Sequence, residues 1–152
     1  MNCASATQKL YVTAPQATAA KPAKPARWAA DTVSMLREGA RLRLDHTPQS
    51  LWSVDRVIAE LRREDPPYEA VAQTLRGFGA YAGEVLVREL GAAWEESSGT
   101  YLLRTPDGHL WDPIGEARRC FEDDGSLRLL CRDATGAATV RTAPPTGHAS
   151  LP

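Results

Sequence analysis

The spacing of apolar residues predicts three helices in the N-terminal half of the chain. The first covers residues 28 to 38, where Gly39 can end it. The second begins at Thr47, because a threonine N-cap followed by proline is a strong helix start. Its apolar stripe consists of Leu51, Val54, Ile58 and Leu61, and Asp65-Pro66-Pro67 ends it. The third and longest helix runs from Tyr68 to Leu90, with Gly91 just beyond its end.

The middle of the third helix is unusually rich in glycine. Gly77, Gly79 and Gly83 each weaken a helix by about 0.5–1 kcal/mol relative to alanine. Two explanations fit the sequence: another element packs closely against the glycine-lined face, which also carries Ala80 and Val87, or the helix kinks. Close packing is the simpler explanation for a soluble bundle. It predicts that a larger residue at these positions destabilises the fold.

The pattern after Gly91 changes to short alternating segments, which predict strands at residues 93–95, 100–104 and 109–111. Pro106-Asp107-Gly108 supplies turn chemistry, so the last two strands should form a hairpin. Residues 41–44 also alternate, which predicts a brief strand or an extended segment before the second helix.

Two short helices are expected near the end of this region. Asp112 followed by Pro113 starts a helix over residues 114 to 122. Residues 126–133 fit either a helix or a strand, and Ser126 as a cap favours the helix. The sequence therefore predicts an α+β protein. Three N-terminal helices, the third of them long, precede a small antiparallel sheet with a hairpin and one or two short helices.

The composition divides the chain into a central domain and two tails. Residues 1–26 are rich in alanine, lysine and proline and are predicted to be disordered, since this composition buries too little apolar surface. Residues 27–134 carry the periodic patterns and form a single α+β domain. Residues 135–152 show no apolar periodicity, and we expect a flexible C-terminal tail.

Charge and hydropathy exclude several classes of partner. The chain has 18 basic and 19 acidic residues in 152, a formal net charge of −1, so nucleic acid is not an expected partner. No apolar run is long enough to span a bilayer, and no secretory leader is evident, so we expect a cytoplasmic protein with no membrane contact. Cys120 and Cys131 are too far apart for a C-x-x-C motif, and we expect reduced, buried thiols.

Few residues offer catalytic or metal chemistry. His46, His109 and Asp112 would form a metal or acid–base cluster only if the fold brought them together, because their spacing does not require it. Ser50 and Ser126 lack a nucleophile-elbow context, and no glycine-rich phosphate loop follows a strand. The sequence therefore predicts no catalytic residue, no metal site and no cofactor.

Four residues are candidate binding residues: Tyr81, Glu84, Trp111 and Asp112. Tyrosine and tryptophan combine an apolar ring with a polar atom and are common at binding hot spots, although they more often fill a core. Glu84 lies beside the glycine-lined face and would need a partner if buried, for which Arg88 four residues on is one choice. A structural role for Glu84 is the preferred interpretation.

Several motifs in this chain together resemble a family of bacterial domains of unknown function from actinobacteria and proteobacteria. The resemblance covers residues 42 to 133, and its most specific part is the F-G-x-Y-x-G-E-V motif of the long helix. It also includes Leu44-Asp45, Trp94 and the run Trp111-Asp112-Pro113-Ile114-Gly115. His46 and Glu116 depart from the family's pattern. The resemblance implies a small α+β domain and no assigned reaction.

A non-catalytic domain that binds another protein is the function that these observations favour, with an immunity-type or adaptor protein as one concrete form. The alternative is a small-molecule-binding domain or a cryptic hydrolase that uses His46, Glu84, His109 and Asp112. The sequence leaves the oligomeric state open.

Overall fold

The computed structural model describes residues 24–142, which form five α-helices, one 3₁₀ turn and a three-stranded antiparallel sheet. In chain order the elements are α1 (Lys24–Gly39), the 3₁₀ turn (Pro48–Ser50), α2 (Leu51–Arg63), α3 (Tyr68–Leu90), β1 (Ala93–Ser97), β2 (Thr100–Arg104), β3 (Leu110–Trp111), α4 (Pro113–Phe121) and α5 (Leu127–Thr142). The predicted α+β class is confirmed, and the long third helix has the predicted bounds.

Helix α3 is the centre of the fold. It packs against α1, α4 and α5, and its buried residues include Leu75, Phe78, Tyr81, Val85 and Leu86. Residues from α2 and α5, such as Ile58 and Leu127, complete the core. None of the helices within residues 24–142 has both the length and the apolar character needed to cross a bilayer.

The three glycines of α3 are sites of close approach, as predicted. A methyl group on Gly77 would overlap the Thr32 side chain of α1. The same group on Gly79 would meet the backbone at the start of α4, and on Gly83 it would meet the indole ring of Trp94. These glycines therefore let three different elements pack against one helix.

The first helix begins earlier than its composition indicates. Residues 24–26, assigned to the tail on sequence grounds, form the first turn of α1. Pro25 is buried there, and its missing N–H removes no hydrogen bond because first-turn donors have no partner within the helix. The predicted disorder of the preceding residues lies outside the described range.

The last helix also extends beyond its predicted end. Helix α5 continues to Thr142, so residues 135–142 are helical where a flexible tail was expected. The hydroxyls of Thr135 and Thr139 donate to the carbonyls four residues earlier, at 2.8 and 2.9 Å, so both side chains are satisfied within the helix. The remainder of the predicted tail lies outside the described residues.

The sheet has the order β1-β2-β3, with both pairs antiparallel. The predicted hairpin between β2 and β3 is confirmed, and Gly108 takes φ 92° in its turn. Residues 41–44 form no strand, although Leu44 is buried against the core. Arg41 has φ 52°, in the left-handed region, so this residue does not have the conformation of a strand.

The helix boundaries follow the predicted capping chemistry. The Thr47 hydroxyl accepts a hydrogen bond from the Ser50 N–H at 3.3 Å, and the Ser126 hydroxyl accepts one from the Leu129 N–H at 3.2 Å. Gly91 closes α3 in the left-handed region, with φ 69°. The helical interpretation of residues 126–133 is therefore confirmed.

Candidate functional site

Tyr81 is fully buried, and its hydroxyl joins α3 to the segment before α2. The hydroxyl accepts a hydrogen bond from the His46 N–H at 2.9 Å and lies 2.6 Å from the Ser50 hydroxyl. Burial raises the pKa of Tyr81, so this phenol is not a base near neutral pH. The geometry gives Tyr81 a positioning role inside the fold and leaves no surface for a ligand on its ring.

His46 occupies a constrained position beside Tyr81. Its φ is 61°, which is uncommon for a residue with a side chain, and its ring centroid lies 5.1 Å from that of Tyr81. Burial lowers the pKa of His46, and the positive charge of Arg88 lowers it further, while Glu84 opposes the shift. The backbone bond to Tyr81 holds this conformation in place.

Glu84 is half-buried, and its carboxylate has a different partner from the one predicted. Its Oε1 accepts a hydrogen bond from the Trp94 indole N–H at 2.8 Å, whereas no ion pair with Arg88 is present among the described residues. The indole reaches Glu84 by lying across Gly83. The preferred structural role of Glu84 agrees with this geometry, because the bond fixes β1 against α3.

Trp111 lies on β3, beside a hydrogen-bonded hairpin. Its indole N–H donates to the Thr105 hydroxyl at 3.3 Å, and that hydroxyl in turn bonds to the Asp107 carboxylate. His109 Nδ1 lies 2.9 Å from Asp107 Oδ2. The hydrogen bonds from Thr105 and His109 lower the pKa of Asp107 to about 2. These contacts stabilise the β2–β3 turn and hold the Trp111 ring in a half-buried position.

The four residues of the alternative small-molecule or hydrolase site make contacts in different parts of the fold. His46 and Glu84 lie by α3, while His109 is bound to Asp107 in the hairpin. Asp112 caps α4 by accepting from the Gly115 N–H at 2.8 Å. Within residues 24–142, no group of three or more histidine, cysteine or acidic side chains is arranged to hold a metal ion.

Trp111 and Asp112 do lie together in a cleft of about 660 Å³ between β3, α4 and α5. Five carboxylates line this cleft, against a single arginine, Arg119. They belong to Asp112, Glu116, Asp123, Asp124 and Asp133. We call this surface the acidic cleft.

Apolar side chains form the other part of the acidic cleft. Leu110 is 48% exposed there, and Trp111, Leu129 and Leu130 are half-buried beside it. An apolar surface edged by charged groups is the usual construction of a protein interface. The cleft therefore offers both an apolar anchor point and a negative field.

The carboxylates of the acidic cleft differ in how far they are neutralised. Glu116 pairs with Arg119, and it also accepts from the Ser126 N–H at 3.0 Å. Asp123 pairs with Arg62 at 3.1 Å, and Asp133 pairs with Arg132 at 3.3 Å. The Asp124 backbone N–H donates to the Arg119 carbonyl at 2.8 Å, but its carboxylate has no hydrogen bond or ion pair with the described residues, so its negative charge is the most available to a ligand.

Asp55 was not identified as a candidate from the sequence, although it positions the start of α5, where Ser126 lines the acidic cleft. Its carboxylate accepts from the Ser126 hydroxyl at 2.6 Å, the Leu127 N–H at 2.9 Å and the Arg128 N–H at 3.3 Å. It therefore caps α5 from α2. Asp55 also contributes, after burial, to raising the pKa of the Cys120 thiol to about 12, which makes that cysteine unreactive.

Trp52 is a second residue that sequence reasoning missed. Its side chain is 61% exposed on α2, and the Arg128 guanidinium stacks on its ring at 3.8 Å. The signal was available, because Trp52 lies off the apolar stripe of its helix.

No protein-family model, curated protein or solved structure matches this chain. The resemblance of residues 42 to 133 to bacterial domains of unknown function therefore stays a prediction.

Proposed function

We propose that this domain is a non-catalytic binding module that docks a basic segment of another protein in the acidic cleft. The observation that carries the proposal is the exposed Leu110 side chain within a cleft that five carboxylates line. Two of the four binding residues predicted from the sequence, Trp111 and Asp112, lie in this cleft. The other two, Tyr81 and Glu84, lie outside it.

The side chains that line the acidic cleft indicate the chemistry of the partner that it binds. Burying a leucine completely contributes about 1.5–3 kcal/mol, and Leu110 is already half covered, so an apolar anchor on it gains roughly half of that. Lysine and arginine suit the surroundings, because their alkyl stems cover apolar surface while their charges reach carboxylates. Carboxylates around the anchor accelerate association and exclude acidic partners.

An immunity-type or adaptor protein is the concrete form of this function that we favour, acting in the bacterial cytoplasm. Either role requires binding to another protein and needs no reaction chemistry. The small-molecule or hydrolase alternative has weaker support, since His46 and His109 make separate contacts.

The experiment uses two synthetic peptides and residue-resolved NMR. One peptide alternates leucine and lysine, and the other alternates leucine and glutamate at the same length. We expect the basic peptide to shift the amide signals of Leu110, Asp124 and Leu129, with affinity that falls as salt rises. The acidic peptide should leave these signals in place.

Two charge-reversal variants distinguish binding in the acidic cleft from non-specific electrostatic attraction to the rest of the protein. Asp124→Lys should weaken binding of the basic peptide by at least about tenfold, because it places a like charge beside the ligand. Glu60→Lys is the control, since Glu60 is exposed on α2 and lies outside the acidic cleft. An equal loss of affinity for the basic peptide in both variants would show that the proposal is wrong. Amide shifts centred outside the acidic cleft would show the same.

A further inference from the structure

A second exposed surface surrounds Trp52, between α2 and the start of α5. The Trp52 side chain is 61% exposed, and it lines a cleft of about 560 Å³. Tryptophan and arginine are enriched among the residues that contribute most to protein interfaces, and this cleft contains both. We call it the Trp52 surface, and its lining consists of Trp52, Ser53, Asp55, Arg56, Ser126 and Arg128.

Arg128 is held in a position that suits a carboxylate ligand. Its guanidinium carbon lies 3.8 Å from the centroid of the Trp52 ring, and this cation–π contact restricts the side chain. The Arg128 guanidinium has no hydrogen bond or ion pair with the described residues. A guanidinium that stacks on an aromatic ring keeps its in-plane N–H groups for carboxylate oxygens. Arg128 can therefore bind a carboxylate without leaving Trp52.

The charges of the Trp52 surface are unbalanced. Arg56 lies one helical turn after Trp52 on α2, is exposed, and has no ion pair with the described residues. Asp55 is the one carboxylate in the lining, and its oxygens already accept hydrogen bonds from Ser126 and from the backbone N–H groups that begin α5. Two unpaired guanidinium groups therefore lie beside one carboxylate whose acceptors are occupied. This balance favours a negatively charged partner.

Neighbouring carboxylates limit the length of that partner's negative charge. Ser126 lines both surfaces, so the acidic cleft borders the Trp52 surface. A neighbouring cleft that shares Arg128 contains Glu89 with Arg132, and so adds no net positive charge. A nucleic-acid strand carries a phosphate at every nucleotide and needs more cations than two arginines supply. A short acidic protein segment matches the surface better, because its carboxylates need reach only Arg56 and Arg128.

We infer that the Trp52 surface binds a short acidic segment of a partner protein. An apolar side chain of the segment covers the Trp52 ring, and its carboxylates pair with Arg56 and Arg128. This inference does not rest on the function proposed for the acidic cleft, because the two surfaces select opposite charges.

The test follows the Trp52 indole N–H signal and the Nε–H signals of Arg56 and Arg128 by NMR. The titrants are the leucine–glutamate peptide, the leucine–lysine peptide and a single-stranded thymidine oligonucleotide. We expect saturable movement with the acidic peptide, with an affinity that falls as salt rises. The amide signals of Leu110 and Asp124 report on the acidic cleft separately, so failure of one proposal is distinguishable from failure of the other.

Four results would overturn the inference. The first is no saturable movement with the acidic peptide, and the second is equal affinity for the two peptides. Tighter binding of the oligonucleotide than of the acidic peptide would assign the surface to nucleic acid. Movement of the same signals with protein concentration alone, before any titrant is added, would assign it to a second copy of this chain.

Two variants localise the binding. Arg56→Glu should weaken the acidic peptide by at least about tenfold, because a repulsion replaces an attraction. Trp52→Ala should weaken it to a similar extent, because the apolar contact is lost. Arg63→Glu is the control, since Arg63 is also exposed on α2 and lies outside the Trp52 surface. Thermal melts check that all three variants fold, and equal affinity of Arg56→Glu and Arg63→Glu for the acidic peptide overturns the inference.

Discussion

The packing of α4 on Gly79 can be tested with a single methyl group. In Gly79→Ala, the new carbon would lie 2.6 Å from the Pro113 carbonyl oxygen and 2.9 Å from the Ile114 nitrogen. Both are backbone atoms at the start of α4, and they cannot rotate away as a side chain would. The two helices must therefore separate to admit the methyl group.

The expected cost follows from two opposing contributions. Overpacking of this kind costs about 1–3 kcal/mol, and contact with backbone places Gly79→Ala at the upper end. Replacing glycine with alanine inside a helix returns about 1 kcal/mol. The net loss in the free energy of unfolding is therefore about 2 kcal/mol.

Gly136 provides a matched control in α5. It is also a helical glycine, but a methyl group there would meet no atom within 4 Å. Gly136→Ala should therefore gain about 0.5–1 kcal/mol from helix propensity alone.

Urea unfolding followed by circular dichroism measures both variants. With a slope of about 1–3 kcal/mol per molar urea, the Gly79→Ala midpoint should fall by about 1 M while that of Gly136→Ala rises. A Gly79→Ala midpoint equal to or above that of the wild type would refute the close approach of α3 and α4.

Three further predictions concern residues that hold the fold together. Trp94→Phe should lower the free energy of unfolding by about 1.5–3 kcal/mol, because it removes the donor to Glu84; an unchanged thermal midpoint would contradict this bond. Asp55→Asn should cost about 2 kcal/mol and increase hydrogen exchange in the first turn of α5; uniform exchange along α5 would argue against the cap. His46 has a lowered pKa, so it stabilises the fold above its ordinary value of 6.5, and this contribution is lost as pH falls through the folded value. His46→Asn, which tolerates positive φ, should therefore lose less stability on acidification than the wild type, and a parallel loss in both would exclude His46 as the cause.

Local signals made most of the helix boundaries predictable. Gly91 and Asp112 have strong capping chemistry, and the long helix ends and α4 begins where these residues indicate. The glycines of α3 correctly predicted close packing, because nothing local compensates for three helix-weakening residues. The capping signals involve only neighbours in sequence, whereas the glycines indicate close packing without identifying the elements that pack against them.

The parts that sequence could not predict depend on contacts between distant residues. Asp55 caps a helix that begins at Leu127, and no local pattern links the two. Trp94 bonds to Glu84 only because Gly83 leaves room for its ring. The C-terminal part of α5 has no apolar periodicity in its sequence. Its threonine hydroxyls donate to backbone carbonyls within the helix, and the amino-acid composition does not indicate these hydrogen bonds.

Only part of the candidate site could be predicted, because the rest also depends on contacts between distant residues. Trp111 and Asp112 were identified by their chemistry, and both line the acidic cleft. Leu110 and Asp124 were not, because an exposed leucine and an acidic turn residue are ordinary in a sequence. Their importance comes from lying in one cleft between β3, α4 and α5.

Protein binding in the acidic cleft can be tested by comparing three baits. Wild-type protein, Asp124→Lys and Glu60→Lys are used as baits in cells that make the protein naturally, and captured proteins are quantified after cross-linking. We predict a protein that the wild type and Glu60→Lys retain, that Asp124→Lys loses by at least about tenfold, and that cross-links through a basic segment. Equal capture of every protein by Asp124→Lys and by the wild type would show that the acidic cleft does not bind a protein partner.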